Sequence, residues 1–233
     1  MLLLAVDTSG KHGSIALARC GPGDGCDVIE VVPLEGGTFS AQLVPQIAAL
    51  LAKHSLGKLD IGGLAVVSGP GSFTGLRIGL AVIKALGDVL ARPIAAVSLL
   101  QAMAASGQSR GRVIAVLDAG RGELYAGEYE VDTSGAHFVS ERLLGRSELM
   151  ESSAGSIIVT AEHGFPDAAG NAGLRVDGLR VAGLRVEEIE LPRSDVIACL
   201  GWRKIQAGEI VLPEDLEANY LRRSSEIFSK GSS

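Results

Sequence analysis

The sequence predicts an α/β protein of two similar lobes, each a mixed sheet with helices, and three observations support this fold class. Short apolar runs of strand character alternate with segments of helical periodicity along the chain. Glycine is abundant, at 31 of 233 residues, which favours a turn-rich α/β protein over a helical bundle. One order of elements also occurs twice: an apolar strand that ends in Asp, a glycine-containing turn, two more strands and a helix.

The first half of the chain opens as a three-stranded meander that leads into a helix. Residues 2–6 are a continuous apolar run, which is typical of a strand buried on both faces. Strands at 14–18 and 27–33 follow it across polar and glycine-rich turns. A helix is predicted from Ser40 to about His54, with Pro45 in or near its first turn, where proline is tolerated.

The most distinctive stretch, Ser68-Gly-Pro-Gly-Ser-Phe-Thr-Gly-Leu-Arg-Ile-Gly79, lies between a strand at 61–67 and a helix at about 74–91. It therefore predicts a strand, a glycine-rich turn and a helix start. A strand at 94–97 and a helix from 98 to about 105 complete the first half. The residues expected to shape the turn or to cap the helix are Gly69, Pro70, Gly71, Ser72 and Thr74.

Two functions are open for this turn. The N-terminus of a helix collects unpaired N–H groups, which suits an anion such as a phosphate, but any tight strand-to-helix crossover has the same composition. Both nucleotide-binding motifs fail on residue identity. The dinucleotide fingerprint lacks its third glycine, because Thr74 stands there, and the P-loop spacing has Leu76 and Arg77 where Lys and Ser/Thr are required.

The second half repeats the meander. An apolar strand at 113–117 ends in Asp118, and strands at 123–130 and 136–143 follow it. This duplication predicts an N-terminal lobe at 1–100 and a C-terminal lobe at 101–223. Further elements are predicted as a strand at 157–160, a helix at 194–204 and an extended closing segment at 213–223, with a mobile tail at 224–233.

A short repeat interrupts the second half. The sequence Gly-Leu-Arg-Val occurs three times at intervals of five residues, starting at Gly173, Gly178 and Gly183. Three copies bury too little surface to form a solenoid. The region around 166–188 is therefore predicted to be an expanded loop or an edge strand.

Composition excludes several classes of function. The formal charge of −6 argues against this chain gripping nucleic acid by itself, because such binding needs clustered Lys and Arg. Three cysteines are too few for a secreted disulfide framework. The apolar N-terminus reaches Asp7 too early for a signal peptide, and no apolar run is long enough to cross a bilayer, so a soluble cytoplasmic protein is expected.

Two aspartate corners are the candidates for chemistry. The segment Asp7-Thr8-Ser9 and the residue Asp118 each follow a buried strand, where a carboxylate can hold a metal–phosphate while turn N–H groups hold oxygens. The alternative is that each aspartate only caps its own turn. No two histidines have the spacing of a helical metal site, and no Gly-x-Ser-x-Gly elbow occurs, so no metal site is expected.

The helix at 74–91 is apolar on more than one side, which predicts burial on more than one side. Gly75 and Gly79 lie on one helical face, where small residues allow another helix to come close. A partner surface and complete burial within the lobe both explain this pattern.

Five segments in order carry a resemblance to a family: Leu3–Ser9, Ser40–Pro45, Ser68–Gly79, Leu117–Tyr125 and Asn219–Arg222. Together they closely resemble the bacterial tRNA threonylcarbamoyladenosine biosynthesis protein TsaB (YeaZ) family, over nearly the whole chain except the repeat region. Phe39 departs from the family, in which a His before the Ser is usual. That departure puts a polar role of the position in doubt and leaves helix packing unaffected.

The resemblance implies the actin-like ATPase (ASKHA, sugar kinase/Hsp70) fold and a non-catalytic subunit. Such a subunit heterodimerises with and activates the catalytic paralogue TsaD, which carries the His-rich metal site. The expected product is N6-threonylcarbamoyladenosine at position 37 of tRNAs that read codons beginning with A. The complex, rather than this chain, is expected to use ATP and Mg²⁺, to contact tRNA and to recruit the ATPase TsaE.

The resemblance also implies a helical-bundle interface on the helices at about 40–54 and 74–90. Without the partner, this helix pair is expected to form a homodimer, because an exposed apolar face of that size self-associates. The residues expected there are Leu43, Ile47, Leu50, Gly75, Arg77, Gly79, Leu80, Ile83 and Leu86. Asp7, Thr8, Ser9 and Asp118 are expected to be a vestigial nucleotide site. An independent ATPase or phosphotransferase and a glycopeptidase-like hydrolase are the alternative functions, although the missing histidine pair speaks against the hydrolase.

Overall fold

The structure is a computed structural model that describes residues 1–23, 25–153, 155–162 and 185–221. The chain divides into two compact units. The first comprises Met1–Leu99 with Pro192–Asn219, and the second comprises Leu100–Leu191 with the chain from Tyr220 onward.

Each unit contains one five-stranded sheet. The strands are β1 (Leu2–Asp7), β2 (His12–Cys20), β3 (Cys26–Glu35), β4 (Ile61–Gly69), β5 (Ile94–Ser98), β6 (Gly111–Gly120), β7 (Glu123–Val131), β8 (Ala136–Gly145), β9 (Ile157–Thr160) and β10 (Arg185–Glu188). The described helices are α1 (Phe39–Lys53), α2 (Phe73–Leu90), α3 (Leu99–Ser106), α4 (Arg146–Ser152) and α5 (Ser194–Gln206), and a 3₁₀ turn covers Lys58–Asp60.

The two sheets have the same topology. In the first unit the strand order is β3-β2-β1-β4-β5, and in the second it is β8-β7-β6-β9-β10. In each, a three-stranded antiparallel meander is extended by two strands that run parallel to its first strand. The helix α4 follows β8 as α1 follows β3. This correspondence confirms the α/β fold of two similar mixed-sheet lobes that the repeated order of elements predicts.

Helices cover both faces of the first sheet. Val6 and Leu64 face α2, where a Cβ built on Gly79 or Gly87 would lie 3.6 Å from their side chains. On the opposite face α5 packs across the strands, and a Cβ on Gly63 would lie 3.1 Å from Ile205. The core between these layers is aliphatic, because the strand residues that face each helix layer are mostly Leu, Val, Ile and Ala.

The segment 192–219 packs with the first unit, whereas the predicted lobe limits assign it to the second lobe. Its helix α5 lies against all five strands of the first sheet. At the start of α5, the backbone N–H of Ser194 donates a 2.9 Å hydrogen bond to Ser14 Oγ, and Ser194 Oγ donates a 2.7 Å bond to the Ser14 carbonyl oxygen. Both serines are buried, so these bonds fix the helix to β2.

Several elements differ in detail from the sequence prediction. The short helix α4 is absent from the prediction, because its seven residues carry too weak an apolar pattern. Helix α1 begins at Phe39, which places Pro45 in the second turn rather than the first. The end of the repeat region, 185–188, is the edge strand β10, whereas 166–184 and the tail at 224–233 lie outside the described residues. No described helix has both the length and the apolar character needed to span a membrane.

Candidate functional site

The turn between β1 and β2 packs directly on the first two turns of α2. Thr8 Oγ1 donates a 2.7 Å hydrogen bond to the Gly75 carbonyl oxygen, and the Ser72 N–H donates a 2.6 Å bond to the Ser9 carbonyl oxygen. A Cβ on Gly75 would overlap the Thr8 carbonyl oxygen, and a Cβ on Gly79 would overlap Thr8 Oγ1. Glycine is therefore required at positions 75 and 79 by the close approach of Thr8, which belongs to the same unit.

The glycine-rich turn after β4 is equally crowded. Gly69 has a φ of +138°, and a Cβ there would lie 2.7 Å from the Asn219 carbonyl oxygen. A Cβ on Gly71 would lie 2.5 Å from the Ser9 carbonyl oxygen. Ser72 is the N-cap of α2, and its Oγ accepts a 3.3 Å hydrogen bond from Gly75 N–H, so of the two capping candidates the structure selects Ser72 over Thr74.

At the first aspartate corner, the Asp7 carboxylate accepts hydrogen bonds from its own turn. Asp7 is 6% exposed, and its Oδ1 accepts hydrogen bonds from Ser9 N–H at 2.8 Å and from Ser9 Oγ at 2.6 Å. Burial raises the pKa of the Asp7 carboxyl, against the lowering effect of the two bonds from Ser9. The carboxylate thus organises its own turn, which is the structural role that the sequence leaves open beside nucleotide binding.

The second corner differs in exposure. Asp118 is exposed, and its Oδ1 accepts a 3.0 Å hydrogen bond from Gly120 N–H within the β6–β7 turn. Among the described residues, no three His, Cys, Asp or Glu side chains are grouped so that they could hold a metal ion. A nucleotide role of Asp7, Thr8, Ser9 and Asp118 stays a prediction.

Most of the residues expected at the partner interface face the core of the first unit. Arg77 is exposed and Leu86 is half-buried, whereas the others are buried: Leu43, Ile47, Leu50, Gly75, Gly79, Leu80 and Ile83. The physical reason is that the strongest apolar stripe of a helix marks the side that faces its own sheet. Phe39 is also buried, with its ring 2.9 Å from a Cβ built on Gly13, so a packing residue occupies this position.

The outward side of α1 and α2 is apolar as well, and we call it the outer surface. Helix α1 has no charged residue before Lys53. Exposed large apolar side chains include Val44, Phe73 and Val89, at 57%, 50% and 73% exposure. The exposed residues that define the outer surface lie three or four positions apart, except for the adjacent pair Val44 and Pro45. They are Ala41, Val44, Pro45, Ala48 and Ala52 of α1 with Phe73, Arg77, Ala81, Ala85 and Val89 of α2.

A solvent-facing helix normally carries charged residues on the side away from the core. The outer surface departs from that pattern, because alanines and valines dominate it. Its one guanidinium, on Arg77, lies 3.6 Å above the ring of Phe73, so this charge covers an aromatic face at the first turn of α2. The signal that could have found this surface in the sequence is the missing charge on the outward positions of α1.

Comparison with known proteins identifies the family. Residues 31–181 match the family model described as TsaD, tRNA N6-adenosine threonylcarbamoyltransferase. The chain is 29% identical to the tRNA threonylcarbamoyladenosine biosynthesis protein TsaB of Escherichia coli, over 96% of each chain. The chain belongs to the TsaB (YeaZ) family.

Other members of the TsaB family support this assignment. TsaB of Bacillus subtilis is 35% identical over an alignment that spans 56% of each chain. The solved structure of YeaZ from Pseudomonas aeruginosa has a TM-score of 0.74 at 25% identity, and the match covers 94% of this chain and 100% of that chain.

A more distant structure bears on the fold of this TsaB-family chain. A Listeria monocytogenes protein described as a candidate N-acetylmannosamine kinase matches with a TM-score of 0.53 at 10% identity, over 89% of this chain and 100% of that chain. At this identity the likeness concerns the fold alone. Together with the YeaZ structure and the duplicated sheet topology, it confirms the predicted actin-like fold of sugar kinases.

Proposed function

We propose that this chain is a non-catalytic subunit in the biosynthesis of N6-threonylcarbamoyladenosine at position 37 of tRNAs that read codons beginning with A. It binds and activates a TsaD-type catalytic paralogue. Membership of the TsaB family supports the pathway, because its relatives are named for tRNA threonylcarbamoyladenosine biosynthesis. The observation that carries the proposed mode of action is the outer surface of α1 and α2.

The chemistry of the outer surface favours a helical partner. Because alanine side chains are small, a second helix pair can pack at a short interaxial distance without leaving cavities. Val44 and Val89 supply apolar area that water now covers, and removing such area from water contributes about 25 cal/mol per Å². A TsaD-type paralogue offers the matching helix pair if it has the same duplicated fold, and a four-helix bundle results.

The sequestered corner at Asp7 supports a non-catalytic role. The Asp7 residue is 6% exposed, and its Oδ1 is taken up by two hydrogen bonds from Ser9 within its own turn, so little of the carboxylate is offered to a metal–phosphate. ATP and Mg²⁺ are then used by the complex, with a TsaE-type ATPase as a further partner. Contact with tRNA also belongs to the complex, because the chain has a formal charge of −6.

The proposed role is tested in cells that lack the endogenous TsaB-family gene. The chain is expressed with the TsaD-type paralogue of its own organism, and tRNA nucleosides are measured by mass spectrometry. We expect threonylcarbamoyladenosine to appear when both proteins are present and to be absent with either protein alone. Modification that does not depend on this chain would contradict the role.

Calorimetry of the isolated chain with ATP and Mg²⁺ separates the subunit from an independent ATPase or phosphotransferase. The subunit role predicts no heat of binding, together with co-purification of the TsaD-type paralogue. Micromolar binding that is lost in both Asp7→Ala and Asp118→Ala would instead favour the enzyme. These two aspartates are the carboxylates that an actin-like nucleotide site would use.

An isolated chain is expected to cover its outer surface with a second copy. Exposed apolar patches of this kind are uncommon on monomers, and self-association removes them from water. Light scattering at increasing concentration should show a homodimer that dissociates when the TsaD-type paralogue is added. A mass that stays monomeric at high concentration would contradict this part of the proposal.

A further inference from the structure

The three cysteines of the chain meet at one place in the first unit. Cys20 ends β2 and Cys26 begins β3, and the two are direct partners across the antiparallel pair. Cys199 lies on α5, and its thiol approaches the Cys26 carbonyl oxygen at 3.8 Å. The three cysteines thus meet at the turn end of one hairpin, although Cys20 and Cys199 are 179 positions apart in sequence.

The backbone places the Cys20 and Cys26 side chains close together. The carbonyl oxygen and N–H of Cys20 both bond to Met1, at 2.6 and 2.8 Å, so they point away from β3. The following pair is the hydrogen-bonded one, because Gly21 N–H donates to Gly25 O. Cys20 and Cys26 are therefore a non-hydrogen-bonded pair, whose Cα atoms in such ladders are about 4.5 Å apart with close side chains.

The helix α5 brings the third thiol to the same face of the sheet. Cys20 lies two residues after Ala18, so its side chain is on the same side of the sheet as Ala18 and its cross-strand partner Leu3. Helix α5 packs on this side, because a Cβ on Gly63 would contact both Leu3 and Ile205. Trp202, one turn after Cys199, donates a 3.1 Å hydrogen bond from its indole N–H to the Gly23 carbonyl oxygen of the β2–β3 loop. This bond holds α5 against the hairpin at the position of Cys199.

Cys26 is the shared neighbour of the other two cysteines, because it pairs with Cys20 across the strands and its carbonyl oxygen lies 3.8 Å from the Cys199 sulfur. Solvent exposure distinguishes the two possible disulfides, Cys20–Cys26 and Cys26–Cys199. Cys20 is 2% exposed, whereas Cys26 and Cys199 are half-buried and open to a small solute. The pair that a reagent from solution reaches first is Cys26 with Cys199.

We propose that Cys26 and Cys199 are a redox-modification site that closes to an intramolecular disulfide when the chain meets a peroxide. The disulfide joins β3 to α5. The inference is independent of the proposed role in tRNA modification, because it rests on geometry within the first unit.

The oxidation proceeds in two balanced steps. The Cys199 thiolate attacks one oxygen of hydrogen peroxide, the S–O bond forms as the O–O bond breaks, and the released hydroxide takes a proton to become water. The Cys26 sulfur then attacks the sulfenic sulfur of Cys199, the S–S bond forms as the S–O bond breaks, and a second water leaves with the Cys26 proton. Two thiols and one peroxide thus give one disulfide and two waters.

The electrostatics assign Cys199 as the attacking thiol. A hydrogen bond from the Cys26 thiol and the positive charge of Arg203 lower the pKa of Cys199, against the opposing effects of burial and of the Asp195 and Asp27 carboxylates. The same hydrogen bond, together with burial, raises the pKa of Cys26, so Cys26 holds its proton. Because the thiolate is the nucleophile, oxidation begins at Cys199.

The test uses the full chain, reduced and then exposed to a small molar excess of hydrogen peroxide. Trypsin places Cys20 and Cys26 together in the peptide 20–53 and Cys199 in the peptide 194–203. We expect an intact mass lower by two hydrogen atoms, a fall from three alkylatable thiols to one, and a disulfide-linked pair of these peptides. Fragmentation should find the remaining alkylated thiol on Cys20.

Matched variants locate the bond. Cys20→Ser should keep the linked peptides, whereas Cys26→Ser and Cys199→Ser should lose them, with each reduced variant checked for a native circular dichroism spectrum. If a variant does not fold, peptide mapping of the oxidised wild-type chain is sufficient to locate the disulfide. A disulfide between Cys20 and Cys26, a disulfide between two chains, sulfinic acid on Cys199 without a disulfide, or three unreacted thiols would each overturn the proposal.

Discussion

The hydroxyl of Thr8 donates a 2.7 Å hydrogen bond to the carbonyl oxygen of Gly75, across 67 positions of sequence. Thr8 lies in the turn after β1, and Gly75 lies in the first turn of α2. A Cβ on Gly75 would overlap the Thr8 carbonyl oxygen. The glycine and the hydrogen bond together hold α2 against the sheet, and this contact fixes which side of the helix faces outward.

Substitution of Gly75 tests this contact. Gly75→Ala should lower the free energy of unfolding by about 1–3 kcal/mol, because a Cβ overlaps backbone atoms that cannot move away easily. The sign is informative, since alanine is about 1 kcal/mol better than glycine in a free helix interior. Urea unfolding followed by the fluorescence of Trp202, which is the one tryptophan and lies in the first unit, measures the change.

The matched control is Ala81→Ser on the exposed side of the same helix. A surface change of this kind should alter stability by less than about 0.5 kcal/mol. If Gly75→Ala proved as stable as the wild type, the packing of the β1–β2 turn on α2 would be wrong.

The N-cap of α2 gives a second prediction. Ser72→Ala should cost about 0.5–2 kcal/mol, because the Gly75 N–H loses the acceptor that Ser72 Oγ provides. Thr74→Ala is the control and should change stability little, since Thr74 is exposed and already inside the helix. Equal losses for the two variants in the same unfolding measurement would reverse the assignment of the cap.

The sequence predicts the elements of the fold but does not show which exposed residues form the outer surface, and both results have the same physical cause. Apolar periodicity reports burial within the chain, so it finds β1, α1 and α2 to within a few residues. The resemblance to the family placed Leu43 and Ile83 at the expected interface, and the structure buries both within the first unit. The outer surface is marked instead by exposed alanines and by the absence of charge on α1 before Lys53, and apolar periodicity detects neither feature.

Other features depend on contacts between distant segments. The need for glycine at position 79 comes from Thr8, and the environment of Cys199 comes from the β2–β3 hairpin, whose turn follows Cys20. Neither neighbour is apparent from local spacing. The short helix α4 was missed because its stability comes from packing of Leu149 in the second core rather than from its own pattern.

Asp7 makes the stability of the first unit depend on pH. Burial raises its folded pKa above the ordinary value of 3.8, so below that value the carboxyl is protonated in both states and burial carries no charge penalty. As pH rises, the unfolded chain ionises first, and the folded state loses relative stability until the folded pKa is passed.

The variant Asp7→Asn removes this titration while its side-chain oxygen can still accept the bond from Ser9 N–H. The difference in unfolding free energy, variant minus wild type, should therefore increase as pH rises from 3.8 and then level off. Urea unfolding at a series of pH values gives this difference. A difference that is flat, or that decreases with pH, would show that the buried carboxyl is not penalised.

The affinity of the chain for its TsaD-type paralogue tests the central claim, which is that the outer surface of α1 and α2 binds the partner. Val44→Asp and Ala81→Glu each place a carboxylate on this surface. Both residues are exposed in the isolated chain, so the fold should be unaffected. Leu59→Asp is the control, because Leu59 is 74% exposed and belongs to the 3₁₀ turn rather than to α1 or α2.

By titration calorimetry, the two outer-surface variants should bind the paralogue at least about 100-fold more weakly, a loss of about 2.8 kcal/mol, because a buried unpaired charge is costly. The control should bind as the wild type does. Wild-type affinity in both outer-surface variants, with unchanged circular dichroism, would contradict the account.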